Sequence, residues 1–114
     1  MSPTPARKAP KHLKCATRRW LEQLDLAYEL EDHHWRLLIL AGECWDRVAQ
    51  AREVLDRVGV TYLDRFGAPR PRPEVAVERD NRIVFARLVR EVGLDATAPP
   101  DPRIPRGAGY RPGA

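Results

Sequence analysis

Several residue types that carry catalysis are scarce in this sequence of 114 residues. Ser2 is the only serine, so a serine-based catalytic triad is excluded from the body of the chain. The seven glycines are scattered, and no glycine-rich segment ending in Lys-Ser or Lys-Thr is present to hold nucleotide phosphates. We therefore expect no enzymatic activity and no cofactor.

Cysteines and long apolar runs are also scarce. Cys15 and Cys44 indicate reduced intracellular thiols better than they indicate a disulfide framework. The longest apolar run, residues 37–41, is far too short to cross a bilayer. The N-terminus is basic but lacks the apolar stretch of an export signal. We expect an intracellular protein that does not contact a membrane.

The residues that could bind a metal do not form a known motif. The candidate zinc ligands are the three histidines and the two cysteines, but adjacent His33 and His34 are expected to diverge on a helix. Cys44 lies in an apolar stripe. The acidic residues between Asp25 and Asp32 have a simpler use at helix ends than in a two-metal nuclease. We predict no metal site.

Positive charge is concentrated near the N-terminus. Residues 1–19 contain six cations and no acid, whereas residues 20–93 contain 11 arginines against 14 carboxylates. All three lysines of the chain lie in the first of these segments. A basic segment attached to an acidic body favours attraction to a polyanion. The alternative is a solvated tail that only improves solubility.

Apolar periodicity predicts two helices in the first half of the chain. Apolar residues at three- and four-residue spacing indicate helix one over about residues 14–28 and a long helix two over residues 32–58. Gly59 is a natural end for helix two. The link between the helices is short, so helix two should fold back beside helix one. Its apolar stripe is wide, which indicates that it also contacts a neighbouring subunit.

The following segment predicts a β-hairpin over about residues 60–72. Asp64 and Gly67 occupy the first and fourth places of a type I turn. In the returning strand, prolines at positions 69, 71 and 73 alternate with Arg70 and Arg72, so the missing N–H groups all fall on one edge. The hairpin can therefore pair on one side and is blocked on the other, which limits open-ended strand addition.

A third helix should follow the hairpin. Pro73 and Glu74 suit its first turn, apolar residues line one face, and Gly93 ends it. The charged run over residues 78–82 is either a solvated face or a set of ion pairs between subunits. Beyond Leu94 the sequence is rich in proline and glycine, which predicts disorder.

The predicted architecture is mainly α-helical. It consists of a flexible basic arm over residues 1–13, a helical oligomerisation core with the hairpin over residues 14–95, and a disordered tail over residues 96–114. The ordered part is roughly 80 residues, a size at which self-association often supplies burial. The residues that we assign to the core or to contacts between subunits are Trp20, Leu38, Trp45, Val48, Leu55, Tyr62, Phe66, Phe85 and Leu88.

The order of these elements resembles the phage terminase small subunit family, in the branch without an obvious N-terminal helix-turn-helix. The resemblance covers roughly residues 10–95. It rests on Pro10, Leu13, Trp20, Asp32, the register from Leu38 to Ala41, Gly59, the DRFG turn, Pro73 and the closing segment REVGLD from Arg90 to Asp95. Arg72 departs from the pattern, because this family often has His before the proline.

The resemblance implies a closed homo-oligomeric ring in the host cytoplasm that binds double-stranded viral DNA and recruits or regulates the large terminase subunit. The large subunit would carry the ATPase and the nuclease, so this chain would be an accessory rather than an enzyme. Two alternatives stay open. One is a free-standing helical DNA-binding regulator, and the other is an interaction scaffold without DNA contact.

The arm is our first candidate for the DNA-binding site, because cations on a mobile segment can follow phosphates without reading bases. Arg70 and Arg72 of the hairpin are the second candidates, unless they pair with Glu74, Glu78 or an acid of a neighbouring subunit. The complete set of candidate DNA-binding residues is Arg7, Lys8, Lys11, Lys14, Arg18, Arg19, Arg70 and Arg72.

Overall fold

The computed structural model describes residues 6–94, which form three α-helices and one β-hairpin. In chain order these elements are α1 (Cys15–Ala27), α2 (Asp32–Val58), β1 (Thr61–Leu63), β2 (Pro69–Pro71) and α3 (Pro73–Val92). The mainly helical class and the order of the elements are confirmed. The proline-rich tail and the first five residues of the predicted arm lie outside the described residues.

Helices α2 and α3 form an antiparallel pair, which is the most extensive contact between elements in the described part of the chain. Residue numbers fall along one helix as they rise along the other. Arg52 and Glu78 lie 3.5 Å apart near the hairpin end, and the rings of Trp45 and Phe85 lie 5.2 Å apart near the middle. The β-hairpin therefore reverses the chain between two long packed helices.

Helix α1 packs against α2 through a smaller contact. The backbone N–H of Lys14, the residue before α1, donates to Asp46 Oδ2 at 2.8 Å, and the Thr17 hydroxyl donates to Asp46 Oδ1 at 2.6 Å. The first turn of any α-helix has four backbone N–H groups without partners inside the helix. The Asp46 carboxylate of α2 accepts one of these N–H groups at the start of α1, together with the Thr17 hydroxyl. The predicted packing of helix one beside helix two is confirmed.

The main hydrophobic cluster lies at the end of the molecule where α2 begins and α3 finishes. Among the predicted core residues, Leu38 and Leu55 are buried, whereas Trp20, Val48, Phe85 and Leu88 are half-buried. The buried members of the cluster come from the N-terminal segment, the link between α1 and α2, and all three helices: Ala9, Leu13, Leu21, Leu30, Trp35, Leu38 and Val92.

The N-terminal segment differs from the prediction. Residues 6–13 were expected to belong to a flexible arm, but Ala9 and Leu13 are buried in the main cluster. The backbone N–H of Arg7 donates to Asp25 at 2.8 Å, and that of Ala9 donates to Glu22 at 3.0 Å. Composition predicted flexibility because of the prolines and cations. Composition alone does not show that the side chains of Ala9 and Leu13 are buried, or that two carboxylates on α1 accept hydrogen bonds from this backbone.

The β-hairpin has the predicted form. Thr61 pairs with Pro71 and Leu63 pairs with Pro69, in antiparallel register. The turn is closed by a hydrogen bond from the N–H of Gly67 to the carbonyl of Asp64 at 2.9 Å, and Gly67 has φ +78°, a value that favours glycine. The bulged turn therefore arises from the residues that predicted it.

Candidate nucleic-acid interface

Three lysines project from the packed N-terminal segment. Lys8, Lys11 and Lys14 are exposed, while Ala9 and Leu13 between them are buried. Within residues 6–94, none of the three ammonium groups has a carboxylate partner. The backbone that carries these cations is thus anchored to α1 and α2. Its lysines face solvent at fixed three-residue intervals and are available to phosphates.

The arginines near these lysines are not equivalent. Arg7 is paired with Asp25 at 3.0 Å, and its guanidinium lies 5.8 Å from the centre of the Trp35 ring. Arg18 is half-buried, with a buried Nε that has no partner among the described residues, whereas Arg19 is exposed. Arg7 therefore holds the segment in place, while Arg19 adds to the accessible charge.

The hairpin arginines are also held by neighbouring side chains. The Nε of Arg70 lies 3.1 Å from Asp64 Oδ2, so an adjacent carboxylate offsets its charge. Arg72 is half-buried, and its guanidinium lies 6.0 Å from the centre of the Tyr62 ring. The alternative in which a hairpin arginine pairs with Glu78 is not seen within the described residues, because Glu78 contacts arginines on α2 and α3 instead, at 3.5 and 3.4 Å. The hairpin is consequently the weaker candidate for DNA contact.

Asp64 organises the hairpin turn. Its Oδ1 accepts hydrogen bonds from the N–H groups of Phe66 and Ala68, at 2.8 and 2.9 Å. These bonds stabilise the ionised carboxylate. The pKa of Asp64 is lowered mainly by the Ala68 N–H, then by the Arg70 side chain and the Phe66 N–H. The negative charge is thus built into the turn, where the Arg70 side chain pairs with it.

The two adjacent histidines do not diverge as predicted. Their ring centres lie 3.9 Å apart at the first turn of α2. The N–H of Glu31 donates to His34 Nδ1 at 3.3 Å, and the Glu31 carboxylate accepts the backbone N–H of His34, so the two residues form a capping box. Burial and the neighbouring His33 lower the pKa of His34.

The same corner brings together potential ligand atoms of Glu31, His33 and His34 within 4.8 Å of one another. However, the capping box already uses the Glu31 carboxylate and His34 Nδ1 to accept backbone N–H groups of the first turn. A cation would also face the positive end of the helix dipole. The cluster is explained by its role in starting α2, and the absence of a metal site stays a prediction.

Part of the predicted core is on the surface of the single chain. Trp45 is 55% exposed, Tyr62 is 42% exposed and Phe66 is 81% exposed, so the assignment of these three residues to a core within one chain is wrong. Trp45 and Trp20 flank Phe85, with ring centres 5.2 and 5.9 Å away, and line an open apolar groove of about 290 Å³. A role for these residues in contacts between subunits stays a prediction.

The contact between α1 and α2 depends on Gly42 and Asp46, which no sequence motif marks as contact residues. Gly42 is buried in the middle of α2, and a Cβ at that position would lie 3.0 Å from Thr17 Cγ2. Asp46 lies one turn further on and accepts the two bonds from the start of α1. The glycine inside the long helix is the sequence feature that could have indicated this contact, because a glycine within a helix often allows another element to pack closely.

Within residues 6–94, no helix has the combination of length and apolar composition that crossing a bilayer requires. No protein-family model matches the chain, and no match is found among curated proteins or among solved structures.

Proposed function

We propose that this chain is the small terminase subunit of a viral or prophage-derived DNA-packaging machine. In this proposal it forms a closed homo-oligomer, binds double-stranded DNA through its N-terminal segment, and recruits or regulates the large terminase subunit. The chain itself is an accessory that performs no chemistry. The sequence resemblance over residues 10–95 motivates the identity of the machine.

The observation that carries DNA binding is the anchored row of Lys8, Lys11 and Lys14. Exposed cations that have no carboxylate partner within residues 6–94 retain their attraction for phosphates, unlike Arg7 and Arg70, which are paired. Because the row is held by burial of Ala9 and Leu13, contact with DNA does not require the ordering of a free segment. Lysine contacts to phosphates carry no sequence information, so we expect low sequence specificity.

The support for self-association is the apolar surface that is exposed within residues 6–94. Leu26, Leu63 and Phe66 are each more than 70% exposed, and Trp45 and Val60 are each 55% exposed. A protein that exposes large apolar side chains on several elements is suited to contacts between subunits. Repetition of the lysine row around an oligomer would then raise affinity through effective concentration.

A duplex-binding experiment tests this function. Lys8, Lys11 and Lys14 are changed together to Ala, and affinity is measured by fluorescence anisotropy over a series of salt concentrations. We expect weaker binding and a salt dependence that is shallower by about 0.9 in log–log slope for each phosphate that the variant no longer neutralises. Native mass spectrometry should show an unchanged assembly larger than a tetramer.

The matched control removes the same amount of charge from exposed arginines elsewhere, at Arg57, Arg87 and Arg90. If this control variant weakens binding as much as the lysine variant does, net charge rather than the N-terminal segment governs affinity. Equal binding by the lysine variant and the unmodified chain would contradict the proposed site. A dimer with salt-dependent binding would favour a free-standing regulator over a terminase ring.

The proposed partnership with the large subunit is tested separately. We expect the purified chain to hydrolyse no ATP and to cleave no DNA, and to stimulate the ATPase of a large terminase subunit when the two are mixed. Metal-dependent DNA cleavage by the chain alone would show that the acidic residues from Asp25 to Asp32 were misinterpreted.

A further inference from the structure

Within residues 6–94, both faces of the β-hairpin are exposed. All six residues of β1 and β2 are exposed, including Tyr62 at 42% and Leu63 at 71%. An isolated two-stranded hairpin is marginally stable in water, and at least three strands or a packed helix are normally needed. Some further surface is therefore expected to cover this element in the working protein.

The two edges of the hairpin differ in chemistry. Val60 and Asp64 flank β1, and both bond to the returning segment: the N–H of Arg72 donates to the Val60 carbonyl, and the N–H of Asp64 donates to the Ala68 carbonyl. By the alternation of an antiparallel ladder, the peptide groups of Thr61 and Leu63 point away from β2. The outer edge of β1 therefore keeps both its N–H donors and its carbonyl acceptors.

The outer edge of β2 lacks backbone N–H donors. Pro69 and Pro71 stand opposite Leu63 and Thr61, so they occupy the positions whose backbone nitrogens face outward. Proline has no N–H to donate. A strand added to β2 would find acceptors only, whereas a strand added to β1 would find both kinds of group.

We propose that the outer edge of β1 pairs with the β1 strand of a second copy of this chain, antiparallel and about a two-fold axis. The product is a four-stranded sheet in the order β2, β1, β1 of the second copy, β2 of the second copy. Both of its ends carry the proline edge, so the sheet cannot grow further. The occupant is a second copy because the β1 edge is complementary to itself under a two-fold rotation.

The register follows from the position of the outward groups. Thr61 of each copy stands opposite Leu63 of the other and exchanges hydrogen bonds with it, which places the two Tyr62 side chains directly opposite each other. Aromatic cross-strand pairs stabilise antiparallel sheets, and this register brings no like charges opposite one another. The guanidinium of Arg72 already lies beside Tyr62 in each copy.

This inference does not rest on the proposed function. A two-fold contact is compatible with a ring if the ring has an even number of protomers or if two rings meet face to face, and it is equally compatible with a simple dimer. Experiments can therefore confirm or contradict the two-fold sheet and the ring independently of each other.

Disulfide trapping tests the register. In a C15S background, which removes the exposed thiol, Tyr62→Cys is compared with Thr61→Cys under mild oxidation. Directly opposite positions of a non-hydrogen-bonded pair are about 4.5 Å apart between Cα atoms, within the range for a disulfide of about 4.4–6.8 Å. Position 61 meets its own copy only diagonally, at about 7–8 Å. We expect a covalent dimer from Y62C and its absence from T61C.

A second variant tests the edge without a cross-link. Leu63→Pro removes one outward N–H from each copy. The hydrogen bonds between β1 and β2 stay in place, because the nitrogen of residue 63 faces away from β2, as the nitrogen of Pro69 on the opposite strand faces away from β1. Leu63→Ala is the control, because it removes the side chain but keeps the N–H. By analytical ultracentrifugation we expect L63P to lose one two-fold association step that L63A retains, with helix content unchanged by circular dichroism.

The outcomes separate the possibilities. Equal cross-linking of Y62C and T61C, or an L63P assembly of the same mass as the unmodified chain, would overturn the proposed sheet. Head-to-tail addition of β1 to the next β2 would also overturn it, since Y62C would then assemble without a covalent dimer. A cross-linked Y62C dimer that never exceeds two subunits would support the sheet and contradict the ring.

Discussion

The two ends of the described molecule differ in how many elements contribute buried apolar side chains. At the end where α2 begins, side chains from the N-terminal segment and all three helices meet, and Leu21, Leu38 and Val92 are fully buried. At the hairpin end, Leu63 and Phe66 are among the most exposed large apolar side chains in residues 6–94. Burial therefore depends on how many elements converge at a point more than on the hydrophobicity of the residues there.

The geometry of the helices explains the difference. Helix α1 is 13 residues long and covers only part of α2, which has 27 residues. At a rise of about 1.5 Å per residue, α2 extends roughly 20 Å beyond the length that α1 can cover. The far end is left as a two-helix layer capped by a hairpin. We expect the first end to hold the fold and the second end to make contacts between chains.

The largest expected effect compares a leucine from each end. Leu38→Ala leaves a cavity in the main cluster, and we expect it to lower the free energy of unfolding by about 2–5 kcal/mol. Leu63→Ala removes the same atoms from an exposed position, where surface substitutions stay within about 0.5 kcal/mol. Urea denaturation followed by circular dichroism, at a concentration that excludes association, measures both.

This comparison has a clear failing outcome. If L63A in the dissociated chain costs as much as L38A, the hairpin packs against the helices in solution and the contrast between the two ends is lost. If L63A is costly only at concentrations that allow association, the exposed leucine lies in a contact between chains.

A smaller effect should come from the carboxylate that joins α1 to α2. Asp46→Ala removes the acceptor of the Lys14 N–H and the Thr17 hydroxyl. Leaving the buried Thr17 hydroxyl without a partner costs about 1–3 kcal/mol, whereas water can replace the exposed bond of the Lys14 N–H. Asp56→Ala is the matched control on the same helix, because Asp56 pairs with Arg52 in an exposed contact 3.7 Å apart.

The expected order is therefore a clear loss of stability for D46A and a near-neutral D56A, measured by thermal unfolding. Hydrogen exchange should locate the loss in the amides of α1 and of residues 6–14. Uniform loss of protection along α2 and α3 would show instead that the first end of the molecule does not open separately.

The smallest effect concerns the hairpin turn and depends on pH. The pKa of Asp64 is lowered in the folded turn, chiefly by the Ala68 N–H and then by Arg70. Its stabilisation is complete above the ordinary aspartate pKa of 3.8 and is lost as the pH falls through the lower pKa of the folded state. Amide NMR signals of Phe66 and Ala68 should change in that acidic range before the helices unfold.

Asp64→Asn supplies the control, since the amide oxygen still accepts a hydrogen bond but carries no charge that titrates. We expect the turn of this variant to form at neutral pH and to lose its response to acid. If the amide signals of the turn still change with acid in D64N, another group, such as a carboxylate on α2 or α3, is responsible for the titration.

Local signals in the sequence were sufficient for the elements and for the hairpin. The apolar spacing and Gly59 predicted α2 over residues 32–58, because periodicity and a positive-φ stop act within a few residues. The turn from Asp64 to Gly67 and the proline edge of β2 were predicted for the same reason. Each of these features follows from the backbone preferences of neighbouring residues.

The candidate site was only partly predictable. The three lysines were identified from charge alone, but their anchoring was missed, as was the pairing of Arg7 and Arg70 with acids 18 and six residues away along the chain. Charge counts describe composition, whereas availability to a phosphate depends on which carboxylate the fold places beside each cation.

The sequence by itself determined the helices, the turn and the edge that prolines block, since these depend on dihedral preferences and missing donors within short segments. Only the tertiary structure decided that residues 6–13 pack, that Trp45 stays exposed, and that Asp46 caps α1 across 32 residues of chain. Those outcomes depend on which distant surfaces meet. A contact over long sequence separation leaves no periodic trace in either segment.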